Sequence, residues 1–191
     1  MRIDILDTPN WQISMQGCRL SYYSQRNSDS TRDVLGDNDR VLLEKLIKAG
    51  NSHSKVMRTL NITLSIYAPL YMWKQIDTYK VGTTTLSTST MHTLHKIDSF
   101  EQTHFATHIP PVILYLLNDY LQYFKRTRDK TIWQRLIGLL PSSYMQLRYW
   151  YGNYQVLRTI VEQRHSHKLD CWQEFCNQVE EKVPYSYLLN L

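Results

Sequence analysis

From Leu60 to Tyr67 the chain alternates strictly: Leu60, Ile62, Leu64 and Ile66 are apolar, while Asn61, Thr63, Ser65 and Tyr67 are not. A period of two predicts a strand with one solvated face. Met1 to Leu6 reads as a second, shorter strand, closed by the turn residues Asp7-Thr8-Pro9-Asn10. Trp11 to Ser24 fits neither period, and the polar, Ser-rich stretch Gln25 to Asp33 is a loop by composition. Helical spacing appears next. Asp37 or Asn38 can cap a helix that buries Val41, Leu42, Leu46 and Ile47 and stops at Gly50. Pro69 suits the first turn of another helix, Leu70 to about Tyr79. Four more segments carry a helical pattern: Val112 to Arg126, Thr131 to Leu140, Ser143 to Arg164 and Leu169 to Val183. Pro110-Pro111, Arg128-Asp129 and His165 to Lys168 separate them. Thr83 to Thr90 holds seven hydroxyl residues in eight positions, too many to favour a helix, and reads as a loop or irregular extended segment. With no internal repeat and no long linker, the pattern predicts one α+β domain over residues 1–191, richer in helix than in strand.

Composition narrows the function classes. Aromatics at 12% and a net charge of only +5 in 191 residues argue against disorder. The longest clean apolar run, Val112 to Leu117, is far too short to cross a bilayer, and the N-terminal residues lack the order of a signal peptide. Cys18, Cys171 and Cys176 form no disulfide framework, so a reducing, cytoplasmic setting is expected. Six glycines leave little room for a Gly-rich phosphate loop. Tyrosine and tryptophan, 14 and 5, far outnumber the four phenylalanines, so most aromatic surface has a polar tip.

Few constellations point to chemistry directly. His104 and His108, and His92 and His95, have spacings that place two imidazoles on one helix face, but no third ligand follows and no Glu stands beside His104. No metal site is assigned. Cys18 has no partner in the sequence that would make it a nucleophile. Arg148, Arg158, Arg164, His165, His167 and Lys168, interleaved with Tyr149, Trp150, Tyr151 and Tyr154, could hold phosphates and stack bases. At helical spacing such aromatics are more often core, and the modest net charge disfavours long nucleic acid. The hydroxyl-rich segment, flanked by Lys80 and Lys96, offers donors for a phosphate or sugar, or is simply a solvated loop.

The strand Ile62 to Tyr67 runs into Ala68-Pro69, with Gln75 six residues past the proline. Further on, Leu140-Pro141 is followed by Trp150, Asn153 and Arg164, and later by Val183-Pro184-Tyr185. In these motifs and their spacings, over about residues 40 to 190, the sequence resembles the flavin-dependent thymidylate synthases, including relatives found in phages, with Val183-Pro184-Tyr185 at the end of the family's C-terminal helix. Where the family has Arg-His-Arg, this chain has Thr78-Tyr79-Lys80; the family's Ser, Asn-Glu, Ser and Arg fall on Thr83, Thr85-Leu86, Thr88 and Thr90. One cation of the triplet therefore survives as Lys, without the bidentate fork of Arg, and the loop arginine becomes neutral.

The resemblance implies a helix-rich α+β fold with a small antiparallel sheet, FAD as cofactor and a pyrimidine nucleotide such as dUMP as substrate. It further implies reductive one-carbon transfer to C5, with NADPH and methylenetetrahydrofolate as co-substrates. It places Thr78, Tyr79, Lys80 and Asn153 at the cofactor, and Gln75, Thr83, Thr85, Thr88, Thr90 and Arg164 at the substrate. It also implies a homotetramer, cytoplasmic, in host cytoplasm if phage-encoded, with no membrane partner. The altered triplet leaves two alternatives open. One is a family member without catalysis that binds a nucleotide or a protein, inhibitory in the latter case; the other is an unrelated helical module.

Overall fold

The computed structural model describes residues 1–191. Strand β1 (Arg2–Asp7) leads into α1 (Trp11–Cys18), whose N-terminus is capped by Asn10: its Oδ1 accepts from the Ile13 amide at 3.1 Å. Together with α1, a 3-10 turn (Arg19–Tyr22) occupies the stretch whose pattern gave no period, and a second 3-10 turn (Gln25–Asn27) opens the segment read as a loop. Helix α2 (Asp37–Lys48) starts one residue after Gly36. Its first amides are capped from a distance, because the Asp29 carboxylate accepts from the Asn38 and Asp39 amides at 2.8 and 3.0 Å. The buried positions of α2 are Asp39, Leu43 and Ile47; Val41, expected in that stripe, is exposed. Strand β2 (Asn61–Pro69) buries Leu64 and Ile66 as the alternation required, yet Ser65 is buried on its other face as well, so that face is not fully solvated.

After α3 (Leu70–Ile76) the hydroxyl-rich segment contains strand β3 (Thr84–Ser87), and the single turn α4 (Thr90–Thr93) follows. The helices α5 (Pro111–Thr127) and α6 (Lys130–Leu139) fall where the pattern placed them, and Asp129 caps α6 through a 2.7 Å bond from the Thr131 amide. The expected single helix from 143 to 164 is instead strand β4 (Met145–Asn153) followed by α7 (Tyr154–Arg164). Tyr149 and Tyr151 are exposed and Trp150 is buried, an alternation that the helical spacing of the same aromatics concealed. Helix α8 (Asp170–Lys182) ends the regular structure, save for a 3-10 turn at Ser186–Asn190. The strands form one antiparallel sheet in the order β1-β2-β4-β3, in a helix-rich single domain. No helix is long and apolar enough to cross a membrane.

By contacts, the chain resolves into two compact units: Tyr67–Thr78 with Leu86–Arg148, and Arg2–Ile66 with Tyr79–Thr85 and Tyr149–Leu191. The first has its own apolar cluster, Leu94, Phe100, Phe105, Ile109, Leu117, Leu121 and Leu136. There His104 has a structural part: its Nδ1 accepts from the Glu101 amide at 3.0 Å and completes a capping box. The second unit buries large aromatics, among them Trp11, Trp150, Tyr154 and Trp172, with Trp11 edge-on to Tyr154 at 5.5 Å. Gly152 is demanded by Trp150, since a Cβ at 152 would stand 2.0 Å from the Cη2 of that ring. Gly152→Ala is therefore expected to cost about 1–3 kcal/mol, the range for forcing one more methyl into a packed site. A urea unfolding midpoint equal to the parent's would contradict it.

Candidate functional site

In the second unit, the loop Tyr79–Thr85 runs along α7. At one end lies Asn153, whose Oδ1 caps α7 by accepting from the Val156 amide at 3.1 Å. Gly82 passes so close that a Cβ there would sit 3.0 Å from Asn153 Nδ2, and its φ of +74° is one that glycine adopts freely. The backbone of Gly82 and Gly152, the hydroxyls of Thr63, Thr83 and Thr84, and Tyr151 border a notch of about 430 Å³. At the other end of α7, the Tyr79 hydroxyl accepts from Arg164 Nε at 2.9 Å and donates to Gln163 Oε1 at 3.0 Å. The guanidinium carbon of Arg164 lies 5.6 Å from the centre of the Tyr79 ring and 4.9 Å from that of the buried Trp172. Thr83 Oγ1 donates to the Tyr79 carbonyl, Lys80 is exposed, and Thr85 is half-buried in β3. Tyr79, Thr83, Asn153 and Arg164 are thus gathered around a single helix.

The remaining residues nominated from the sequence lie in the first unit. Thr78 Oγ1 donates to the Gln75 carbonyl at 2.7 Å, closing the end of α3, and Gln75 itself is half-buried. Thr88 Oγ1 donates to the Leu147 carbonyl at 3.1 Å, while Thr90 opens α4. Arg148 binds beneath them. Its Nη1 lies 3.1 Å from both oxygens of Asp77, its Nε donates to Gln146 Oε1 at 2.9 Å, and its guanidinium sits 4.5 Å above Trp73. The Nε and Nη1 donors of Arg148 are thus committed to protein partners. Of the aromatics in 148–154, Trp150 and Tyr154 are buried in the core, while Tyr149 and Tyr151 are exposed.

A larger cavity than the notch at Gly82 and Gly152 also belongs to the second unit. It measures about 1390 Å³ and opens beside α1, the 3-10 turn after it, and residues 52–61. Lys55 and Arg58, both exposed, reach it from a 3-10 turn (Ser54–Arg58), where residues three apart project from the same side. His53, Arg32, Tyr22 and the Cys18 thiol complete its reactive lining. Arg32 is paired with Asp33 and, at 3.5 Å, with Asp7. Burial pushes the Cys18 thiol up from its ordinary value, against the lowering effect of Arg19, so it stays protonated at neutral pH. The cavity is therefore a basic, hydroxyl-bearing recess without an activated nucleophile.

No family model and no curated protein matches the sequence. Solved structures do match the fold. The crystal structure of the flavin-dependent thymidylate synthase ThyX from Helicobacter pylori, complexed with FAD and dUMP, superimposes with a TM-score of 0.79. The match covers 99% of this chain and 98% of that one at 17% identity. A UMP/dUMP methylase, PolB from Streptomyces cacaoi, bound with 5-Br dUMP, gives a TM-score of 0.64 at 13% identity, over 94% and 88% of the two chains. The chain has the fold of flavin-dependent thymidylate synthase.

On this thymidylate synthase fold, the residues that sequence reasoning nominated separate into two kinds. Arg164 and Lys80 carry positive charge, whereas Thr78, Thr83 and Thr88 donate their hydroxyl protons to backbone carbonyls. The Lys55–Arg58 recess was not foreseen. Its only signal in the sequence is a pair of cations at a spacing of three beside His53, which becomes meaningful once the segment is known to be a 3-10 turn.

Proposed function

We propose that the chain binds FAD and a pyrimidine deoxynucleotide of the dUMP type, and that it carries out reductive one-carbon transfer to C5 of the pyrimidine. The observation that carries this reading is the 1390 Å³ basic recess in a chain that shares its fold, end to end, with a synthase complexed with FAD and dUMP. The recess fits a flavin dinucleotide. It exceeds the usual range for small-molecule sites, and Lys55 and Arg58 provide two cations for the two phosphates. When bound, the flavin would supply the hydride chemistry. The protein's part is to hold and orient: Lys55 and Arg58 at the cofactor phosphates, Tyr79, Lys80 and Asn153 near the ring, Arg164 at the nucleotide phosphate. Gln75, Thr85 and Thr90 are proposed at the pyrimidine. NADPH and methylenetetrahydrofolate as co-substrates, a homotetrameric assembly and a cytoplasmic setting complete the proposal.

A specific observation favours a second reading, a nucleotide-binding or protein-interaction module without turnover. A hydroxyl has one proton to donate, and those of Thr78, Thr83 and Thr88 go to Gln75, Tyr79 and Leu147 carbonyls. They are thus not aimed at the carbonyl oxygens of a uracil, where negative charge would develop during transfer. Thermal unfolding with each ligand, followed by an assay of dUMP methylation, separates the readings. A ligand at one hundred times its Kd stabilises the folded state by about 2.7 kcal/mol, so FAD and dUMP should each raise the Tm by several degrees. A rise with both ligands plus methylated product supports the enzyme; a rise without product supports the module. No rise with either ligand overturns the enzyme and the nucleotide-binding module alike.

A further inference from the structure

We propose that Tyr79 is a positioning residue that fixes the Arg164 guanidinium in one orientation, so that only its outer Nη edge is left to grip a phosphate monoester. The proposal rests on the nucleotide-binding reading given above, but assigns Tyr79 a task other than touching the cofactor. Four contacts carry it. The Tyr79 hydroxyl accepts the Nε proton of Arg164 at 2.9 Å and is itself oriented by donating to Gln163 Oε1 at 3.0 Å. The Tyr79 ring and the fully buried Trp172 ring lie 5.6 and 4.9 Å from the guanidinium carbon. Trp172 is anchored in turn, edge-on to Phe175 at 5.5 Å.

The geometry has a chemical consequence. A free guanidinium binds an oxyanion either through Nε with one Nη or through both Nη groups. Here the first mode is closed, because the phenol oxygen holds the Nε proton. The second mode stays open, with its donors held in plane. Flexible side chains lose rotamer freedom when they grip a ligand, and a guanidinium already held by two rings and a hydroxyl loses less. The Tyr79 backbone is fixed as well, since its carbonyl accepts from Thr83 Oγ1. The loop and the arginine are thus registered to each other before any ligand arrives.

The test follows the Arg164 Nε–H resonance in ¹⁵N-labelled protein during titration with inorganic phosphate, in the parent and in Tyr79→Phe, with dUMP and deoxyuridine titrated in parallel by calorimetry. The parent should show a slowly exchanging Nε–H and a saturable response to phosphate. Tyr79→Phe should lose the exchange protection and bind phosphate and dUMP roughly tenfold more weakly, the effect of one lost charge-assisted contact. Deoxyuridine, which lacks the phosphate, should be unaffected. Equal phosphate affinity in the two proteins, no response of Arg164 in either, or equal losses for dUMP and deoxyuridine would each overturn the proposal. If phosphate binds in the expected pattern and dUMP does not bind at all, the positioning role stands and the nucleotide reading falls.

Discussion

Asp39→Ala lowers the stability of the fold by about 3–5 kcal/mol, the range for removing one member of a buried ion pair. Asp39 is fully buried on α2, and its carboxylate is surrounded by donors: Arg19 Nε at 2.6 Å, Ser28 Oγ at 2.6 Å, and Ser30 Oγ and amide at 2.7 and 3.2 Å. Alanine leaves the Arg19 guanidinium, only 14% exposed, without its counter-charge. The urea midpoint should fall while the slope of the transition stays the same; a loss below about 1 kcal/mol would show the pair to be dispensable. A pH dependence follows from the same contacts. Burial opposes ionisation of Asp39, but the hydrogen bonds from Ser28, Ser30 and Arg19 and the charge of Arg19 outweigh it, leaving the carboxyl below its ordinary value. A depressed carboxyl binds fewer protons in the folded chain than in the unfolded one. Its contribution is therefore complete above the ordinary carboxylate range and is lost as the pH falls toward the lowered folded value. The acid limb of a stability profile should flatten in Asp39→Ala.

Arg164→Ala is expected to weaken dUMP binding roughly ten- to a hundredfold, through loss of a charge-assisted phosphate contact worth about 1.5–3 kcal/mol. It should do so without unfolding the chain, because the guanidinium is half-buried and makes one hydrogen bond, to Tyr79. Some stability is lost all the same, about 0.5–2 kcal/mol from the contacts with Trp172 and Tyr79. Calorimetric titration with dUMP and with deoxyuridine, alongside far-UV circular dichroism, checks both parts. Unchanged dUMP affinity would remove Arg164 from the nucleotide site. Arg164→Lys should recover part of the affinity, since it keeps the charge and loses the fork.

Strand β2 was legible in the sequence because nothing competes with strict alternation, and the helices α5 and α6 because Pro111 and Asp129 mark their starts. Strand β4 was not. Tyr149, Trp150 and Tyr154 stand at spacings that also suit a helix face, and only the buried or exposed state of each ring distinguishes the two arrangements. Asn153 did mark the true start of α7, but its meaning depends on the strand before it having been recognised. The cap of α2 escaped for a different reason: Asp29 comes from a separate loop, and sequence proximity favoured Asp37 and Asn38. At the site, the resemblance picked out Tyr79, Asn153 and Arg164, which the fold gathers around α7. What no spacing reveals is where each threonine proton goes. Thr78, Thr83 and Thr88 look like ligand donors in a string of letters, and in space each donates its hydroxyl proton to a backbone carbonyl.

Strand β1 lies at one edge of the sheet, and the outward-facing groups of Ile3 are met by side chains of α8. The Ile3 amide donates to Gln178 Oε1 at 2.8 Å, and Lys182 Nζ donates to the Ile3 carbonyl at 2.8 Å. An uncovered edge is a template for pairing with another chain. Ile3 and Gln178 are 175 residues apart, so during synthesis at about 5–20 residues per second that edge waits on the order of ten seconds or more for its guards. Premature release of the chain before residue 178 would therefore produce a species with an open strand at its margin, prone to self-association.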